Sequence, residues 1–155
     1  MSAALYDLLF EDLPPMAWWQ TVEELWTSRE FGMLPEDVDL WRDIWETAES
    51  TAGRAGSPLP VSADTVTLYR GFDDCMDFAE GFAWSLSETI ARCFMDRCGR
   101  ATAFSALARV TVPRGRVIFY TNDRQEQEAV IVPQRAEIRI IDVVTKESHG
   151  WGIEL

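Results

Sequence analysis

Residues 65–71, TVTLYRG, decide how the chain is to be read. Thr65–Tyr69 is a β-branched and aromatic run, the composition that strands favour, and it ends at Arg70-Gly71. The texture before this stretch is helical. Pro14-Pro15 open a segment in which Trp18, Val22, Leu25 and Trp26 recur at helical spacing, with Gly32 as its stop. Pro35 sits where a first-turn proline belongs, followed by Glu36 and Asp37, acids that suit a helix N-terminus. Val38, Trp41, Ile44, Trp45 and Ala48 form one apolar stripe, closed by Gly53. Five of the seven tryptophans lie in these two helices. Packing against the rest of the domain is their expected use; an exposed tryptophan patch for a partner is the alternative. A connector rich in small residues and proline, RAGSPLPVSA at 54–63, leads into the strand.

After the strand, residues 73–82 read as a short helix or loop and Phe82–Ser85 as a short strand. Ser87 to about Asp96 is helical, with Ile90, Ala91, Phe94 and Met95 on one side. Phe104–Val112, Val117–Tyr120, Glu128–Val132, Ile138–Val144 and a final Trp151–Leu155 complete a strand-rich half. The strands follow one another mostly without intervening helices, which predicts an α+β fold rather than a parallel doubly wound sheet. The expectation is a single domain over 1–155, helical over 1–60 and strand-rich over 61–155.

Composition narrows the function. With 155 residues, 47% apolar, the chain can bury one core. No apolar run approaches the roughly 18 residues of a membrane span. The start, MSAALYDLLFEDLPP, lacks the basic opening of a secretory signal, so a cytoplasmic protein is expected, whether in its own or a host cell. Acids outnumber bases 26 to 14, a formal charge of −12, which disfavours nucleic acid and anionic membrane surfaces. The acidity is uneven: residues 1–60 hold 12 acids and 3 bases, and residues 61–155 hold 14 and 11. A local anion site therefore belongs in the second part. Cys75, Cys93 and Cys98 form no CxxC pair and read as free thiols. His149 is the one histidine, which excludes a His-rich metal site, and three cysteines cannot make a four-thiolate one, so no metal is expected. Carboxylates, arginines and hydroxyls remain as chemical tools.

Three short motifs use them. In Leu68-Tyr69-Arg70-Gly71, a permanently charged planar fork at a strand end can hold a phosphate, and Gly71 allows close approach to the backbone. An ordinary surface arginine is the alternative. In Trp84-Ser85-Leu86-Ser87, Ser85 with Glu88 fits a capping box, Ser87 is another N-cap, and Ser85 can instead present its hydroxyl to a site. In Gln125–Pro133, QEQEAVIVP, Glu126 and Glu128 lie two apart on one face of a strand, about 7 Å from each other. Two like charges at the mouth of an apolar strand suggest a use, unless they are simply a solvated end.

The order of the three motifs resembles the ADP-ribosyltransferases of the Arg-Ser-Glu group, with the Glu-x-Glu strand of the arginine-specific enzymes. The resemblance covers residues 65–145, with Leu86 where the group usually has threonine. It implies a split-sheet core with the N-terminal helices beside an NAD cleft, and NAD as substrate. By resemblance, Arg70 meets the diphosphate and the Gly71 backbone meets the nicotinamide amide. Ser85 holds the ribose or orients the glutamate, and Ser87 and Phe94 belong to the NAD site. Glu128 accepts from the ribose 2′-hydroxyl and stabilises positive charge as nicotinamide leaves. Glu126 prepares an acceptor arginine, which is a poor nucleophile while charged. Tyr120 and Arg124, in the loop before it, are candidates for contact with a target protein. The implied function is mono-ADP-ribosyl transfer to a protein arginine. The alternatives are an NAD glycohydrolase, with water as acceptor, and a non-enzymatic acidic interaction module. Arg70 and Glu128 are expected to line one cleft with Ser85 between them.

Overall fold

Proline opens both N-terminal helices, where a missing N–H leaves no helical bond unmade. They are α1 (Pro15–Thr27) and α2 (Pro35–Ser50). The protein is described here by a computed structural model that covers residues 13–28, 35–50, 56–73, 81–98 and 104–145. The expected stops Gly32 and Gly53, the strand Trp151–Leu155, His149, Cys75 and most of the 73–82 segment lie outside the described residues. Trp18, Trp19, Trp26, Trp41 and Trp45 are all buried, none more than 6% exposed. Trp26 packs edge-on against Trp41 and Trp45, with ring centroids 4.8 and 5.0 Å away. Packing, not an exposed patch, is what these five side chains do.

The strands are β1 (Thr65–Asp73), β2 (Ala83–Ser85), β3 (Phe104–Pro113), β4 (Phe119–Thr121), β5 (Glu128–Val130) and β6 (Arg139–Thr145). Helix α3 (Glu88–Cys98) follows β2. Together the strands form one sheet in the order β4-β5-β2-β1-β3-β6, antiparallel at every step. The α+β expectation holds. β1 extends past Arg70-Gly71 to Asp73, because its ladder with β3 continues to the pair Asp73↔Ser105.

The ladder between β1 and β2 is far shorter. Among the described residues these strands share one register pair, Tyr69↔Ser85, so the sheet consists of two three-stranded halves joined at a point. The helices divide along the same line. Trp18, Trp26, Trp41 and Trp45 pack with Phe82, Phe119 and Val130 of the β4-β5-β2 half. Ala91 and Met95 of α3 pack on Tyr69 of β1 and Leu107 of β3. Leu68, Phe72, Trp84, Val110, Tyr120 and Ala129 form a further core that spans both halves.

Gly71 is the contact point for α3. A Cβ there would lie 2.3 Å from the Ala91 carbonyl oxygen and 2.3 Å from the Met95 nitrogen. The close approach that this glycine permits is that of a helix backbone. At the edge of the sheet, Arg92 of α3 bonds Asp142 of β6 at 2.5 Å and Glu88 at 2.8 Å.

Candidate active site

The site forms where β2 ends. Directly paired residues on neighbouring strands project to the same face, and Ser85 pairs with Tyr69 on one side and Glu128 on the other. Ser85 and Glu128 therefore stand side by side at the join between the half-sheets. The Ser85 hydroxyl donates to the Glu126 carbonyl at 2.8 Å and accepts the Ser87 N–H at 3.0 Å. Ser87 in turn accepts from the Ile90 N–H at 3.3 Å, so Ser87 caps α3. The Ser85–Glu88 capping box does not form, since the Glu88 carboxylate pairs with Arg92. The Leu86 N–H also donates to the Gln127 carbonyl at 3.1 Å. The Ser-x-Ser junction thus fastens the backbone of the Glu-x-Glu segment.

That segment differs from the expectation of two carboxylates on one strand face. β5 begins at Glu128, and Glu126 precedes it in a loop. Gln125 and Gln127, on either side of Glu126, have φ of 58° and 48°. A left-handed conformation costs a non-glycine residue about 1–2 kcal/mol and needs support. The Asn122 side chain gives it, accepting the Gln127 N–H at 3.1 Å, and the Asn122 carbonyl accepts the Gln125 N–H at 2.9 Å. This tight loop, not strand pleating, brings Glu126 and Glu128 to one depression.

Trp26, Thr27, Thr121, Asp123 and Arg124 complete its walls. The enclosed space is about 30 Å³, room for a water or two. Burial raises the Glu126 carboxyl above its usual pKa, and the Glu128 charge raises it further, against the opposing pull of Arg124 and Arg97. The Trp26 indole N–H donates to Glu128 Oε1, and the Arg124 guanidinium donates to the Thr27 carbonyl. The end of α1 therefore closes one side of the carboxylate pair. Nothing in the local sequence marks Trp26 for this contact, because its partner lies 102 residues away.

Arg70 approaches from elsewhere. Alternation along β1 sends its Cβ to the face of Leu68 and Phe72, not to that of Tyr69, Ser85 and Glu128. Its side chain then turns toward Gly81 and β2. There Nη1 donates to the Ala83 carbonyl at 2.7 Å, and the guanidinium occupies the place that a Cβ on Gly81 would take. Arg70 and Glu128 meet the join from different sides, so the expectation that they line one cleft with Ser85 between them is corrected. Gly71, beside Arg70, lies beneath α3.

One other candidate is relocated. Tyr120 belongs to β4, not to an exposed loop; it is 6% exposed and packs in the core spanning both half-sheets. Desolvation raises its hydroxyl pKa. A buried ring offers little contact to a target protein. Arg124 does lie in the loop and is exposed. Phe94 is half-buried on α3, with the Arg97 guanidinium 5.1 Å from its ring centroid.

No protein-family model matches the sequence, and no curated protein and no solved structure matches it. Among the described residues, no group of three or more His, Cys, Asp or Glu is arranged to hold a metal ion, and no helix is long and apolar enough to cross a membrane.

Proposed function

We propose that the protein is a mono-ADP-ribosyltransferase that uses NAD as donor and a protein arginine as acceptor. The observation that carries the reading is the meeting of Ser85, Glu126 and Glu128 at the point where the two half-sheets join. Two motifs that are far apart in sequence converge there, and Arg70 of the third bonds the Ala83 carbonyl of the strand that carries Ser85. The split-sheet core of the Arg-Ser-Glu group has that organisation.

In this reading the nicotinamide–ribose bond breaks and nicotinamide leaves with its electron pair. Positive charge develops on the ribose carbon, and the Glu128 carboxylate stabilises it. A guanidine nitrogen of the acceptor then bonds to that carbon while its proton passes to Glu126. The raised pKa of Glu126 suits it to accept this proton at neutral pH. The diphosphate is assigned to Arg70, beside Ala83. The enclosed space at the carboxylates is too small for a nucleoside, so the wall formed by Arg124 and the end of α1 has to yield when NAD enters. That same space admits water, which favours NAD hydrolysis as the second reading.

The test is incubation with labelled NAD and arginine-bearing protein, followed by mass spectrometry for the modified residue. Glu128→Gln keeps the shape and removes the charge, so it abolishes both protein labelling and nicotinamide release, by about 10²-fold or more. Glu126→Gln loses arginine labelling and keeps nicotinamide release. Free ADP-ribose without labelled protein selects the hydrolase reading. If the wild-type protein consumes no NAD, both readings fall.

A further inference from the structure

Buried indole N–H groups normally find an acceptor. In this protein the indole nitrogens of Trp19 and Trp45 are buried without one, and that of Trp84 donates to the Gly81 carbonyl at 3.1 Å. The indole of Trp26 donates to the Glu128 carboxylate. Its ring has little freedom to do otherwise. It is 2% exposed and wedged edge-on against Trp41 and Trp45, which stack on each other with centroids 5.4 Å apart. Trp45 stacks in turn on Phe119 of β4, two strands away from β2 and next to β5. The aromatic cluster therefore links the direction of the Trp26 N–H to the half-sheet that carries Glu128.

We infer that Trp26 is a positioning residue for Glu128, and that the tryptophan-rich helices orient the carboxylate as well as fill the core. The inference rests on the transferase reading. The Ser85 hydroxyl donates to the Glu126 carbonyl, so it acts on the backbone of the loop. The indole N–H acts on the carboxylate itself. A bond to Oε1 fixes the rotation of the carboxylate and leaves Oε2 able to accept a ribose hydroxyl. The next residue supports this arrangement, since the Thr27 carbonyl accepts from Arg124 beside the same depression.

Trp26→Phe keeps an aromatic ring and removes the donor. Its kcat for nicotinamide release should fall about tenfold or more, as expected for losing a hydrogen bond to a charged group, while KM for NAD stays within about threefold. In a Glu128→Gln background the same change should add little, because the residue acts through Glu128. Trp19→Phe, which removes an indole N–H without an acceptor from the same cluster, should leave kcat near wild type and so separates packing from positioning. A readout independent of turnover is the Trp26 indole resonance in 15N-labelled protein, identified by its loss in Trp26→Phe. It should move upfield in Glu128→Gln while the other indole resonances hold. An unmoved resonance overturns the contact. Unchanged kcat in Trp26→Phe, with Glu128→Gln inactive, overturns the positioning role and leaves the transferase reading standing. A wild-type protein that releases no nicotinamide overturns both.

Discussion

Glu126 is held in a place that does not suit its charge. Burial and the neighbouring Glu128 both raise its pKa above the usual 4.5, so the folded chain binds this proton more tightly than the unfolded chain does. Its contribution to stability therefore worsens as pH rises through the ordinary carboxylate value and then through the raised one. Below both values the contribution vanishes. Glu126→Gln should accordingly raise the melting temperature at pH 7, with the gain disappearing below the ordinary carboxylate range. Thermal unfolding of the two proteins across that range is the check, and a gain that grows in acid would mean that Glu126 is stabilised rather than strained. The left-handed Gln125 and Gln127 on either side add backbone strain at the same place.

Between elements, the decisive contact is that of α3 on β1. Gly71 lets the backbone at Ala91 and Met95 settle onto the strand, and the helix then covers Tyr69 and Leu107. Gly71→Ala would drive a methyl group into two backbone atoms that cannot swing aside as a side chain can. The substitution should destabilise by about 3 kcal/mol or more, near the upper end for overpacking, and chemical denaturation should show it as a lowered midpoint. A neutral outcome would mean that α3 can lift from the sheet at little cost. The helix also sets the far end of the site, because its cap Ser87 adjoins Ser85, which fastens the Glu-x-Glu loop. If the proposed transferase reading holds, a displaced α3 should therefore slow NAD turnover as well as weaken the fold.

Across the whole molecule, the N-terminal helices and the sheet share one interior. Trp18, Trp26, Trp41 and Trp45 pack against Phe82, Ile118, Phe119 and Val130, so a chain starting at residue 56 would expose an apolar face on the β4-β5-β2 half. Such a truncation should fail to give a cooperative thermal transition, and the intact chain should unfold in one step. A truncated protein with a sharp transition would show that the strand-rich part folds alone. The charge distribution fits this division, since residues 1–60 carry the larger acidic excess and residues 61–155 hold most of the arginines. The carboxylate pair lies at the seam between them, facing Arg124 and Arg97.

The sequence by itself determined the helical and strand-rich parts, the α+β class, the burial of the tryptophans and the three motifs. Each of these depends on local spacing: a 3.6-residue stripe such as Val38, Trp41, Ile44, Trp45 and Ala48, a β-branched run at Thr65–Tyr69, or hydroxyls and carboxylates at fixed offsets. Local spacing also misled where the backbone was irregular. Glu126 and Glu128 read as neighbours on a strand face, but two left-handed residues put Glu126 in a loop. Tyr120 read both as the end of a strand and as part of a target-contact loop, and its ladder to Ala129 makes it part of a strand and of the core. Tertiary structure alone decided the rest: the single pair Tyr69↔Ser85 that joins the half-sheets, the turn of Arg70 toward Ala83, the closure of α3 on Gly71, and the indole N–H of Trp26 on Glu128. These contacts join residues far apart in the chain. Their geometry follows from how twisted strands diverge and which helix covers which half, and no pattern within one segment carries that information.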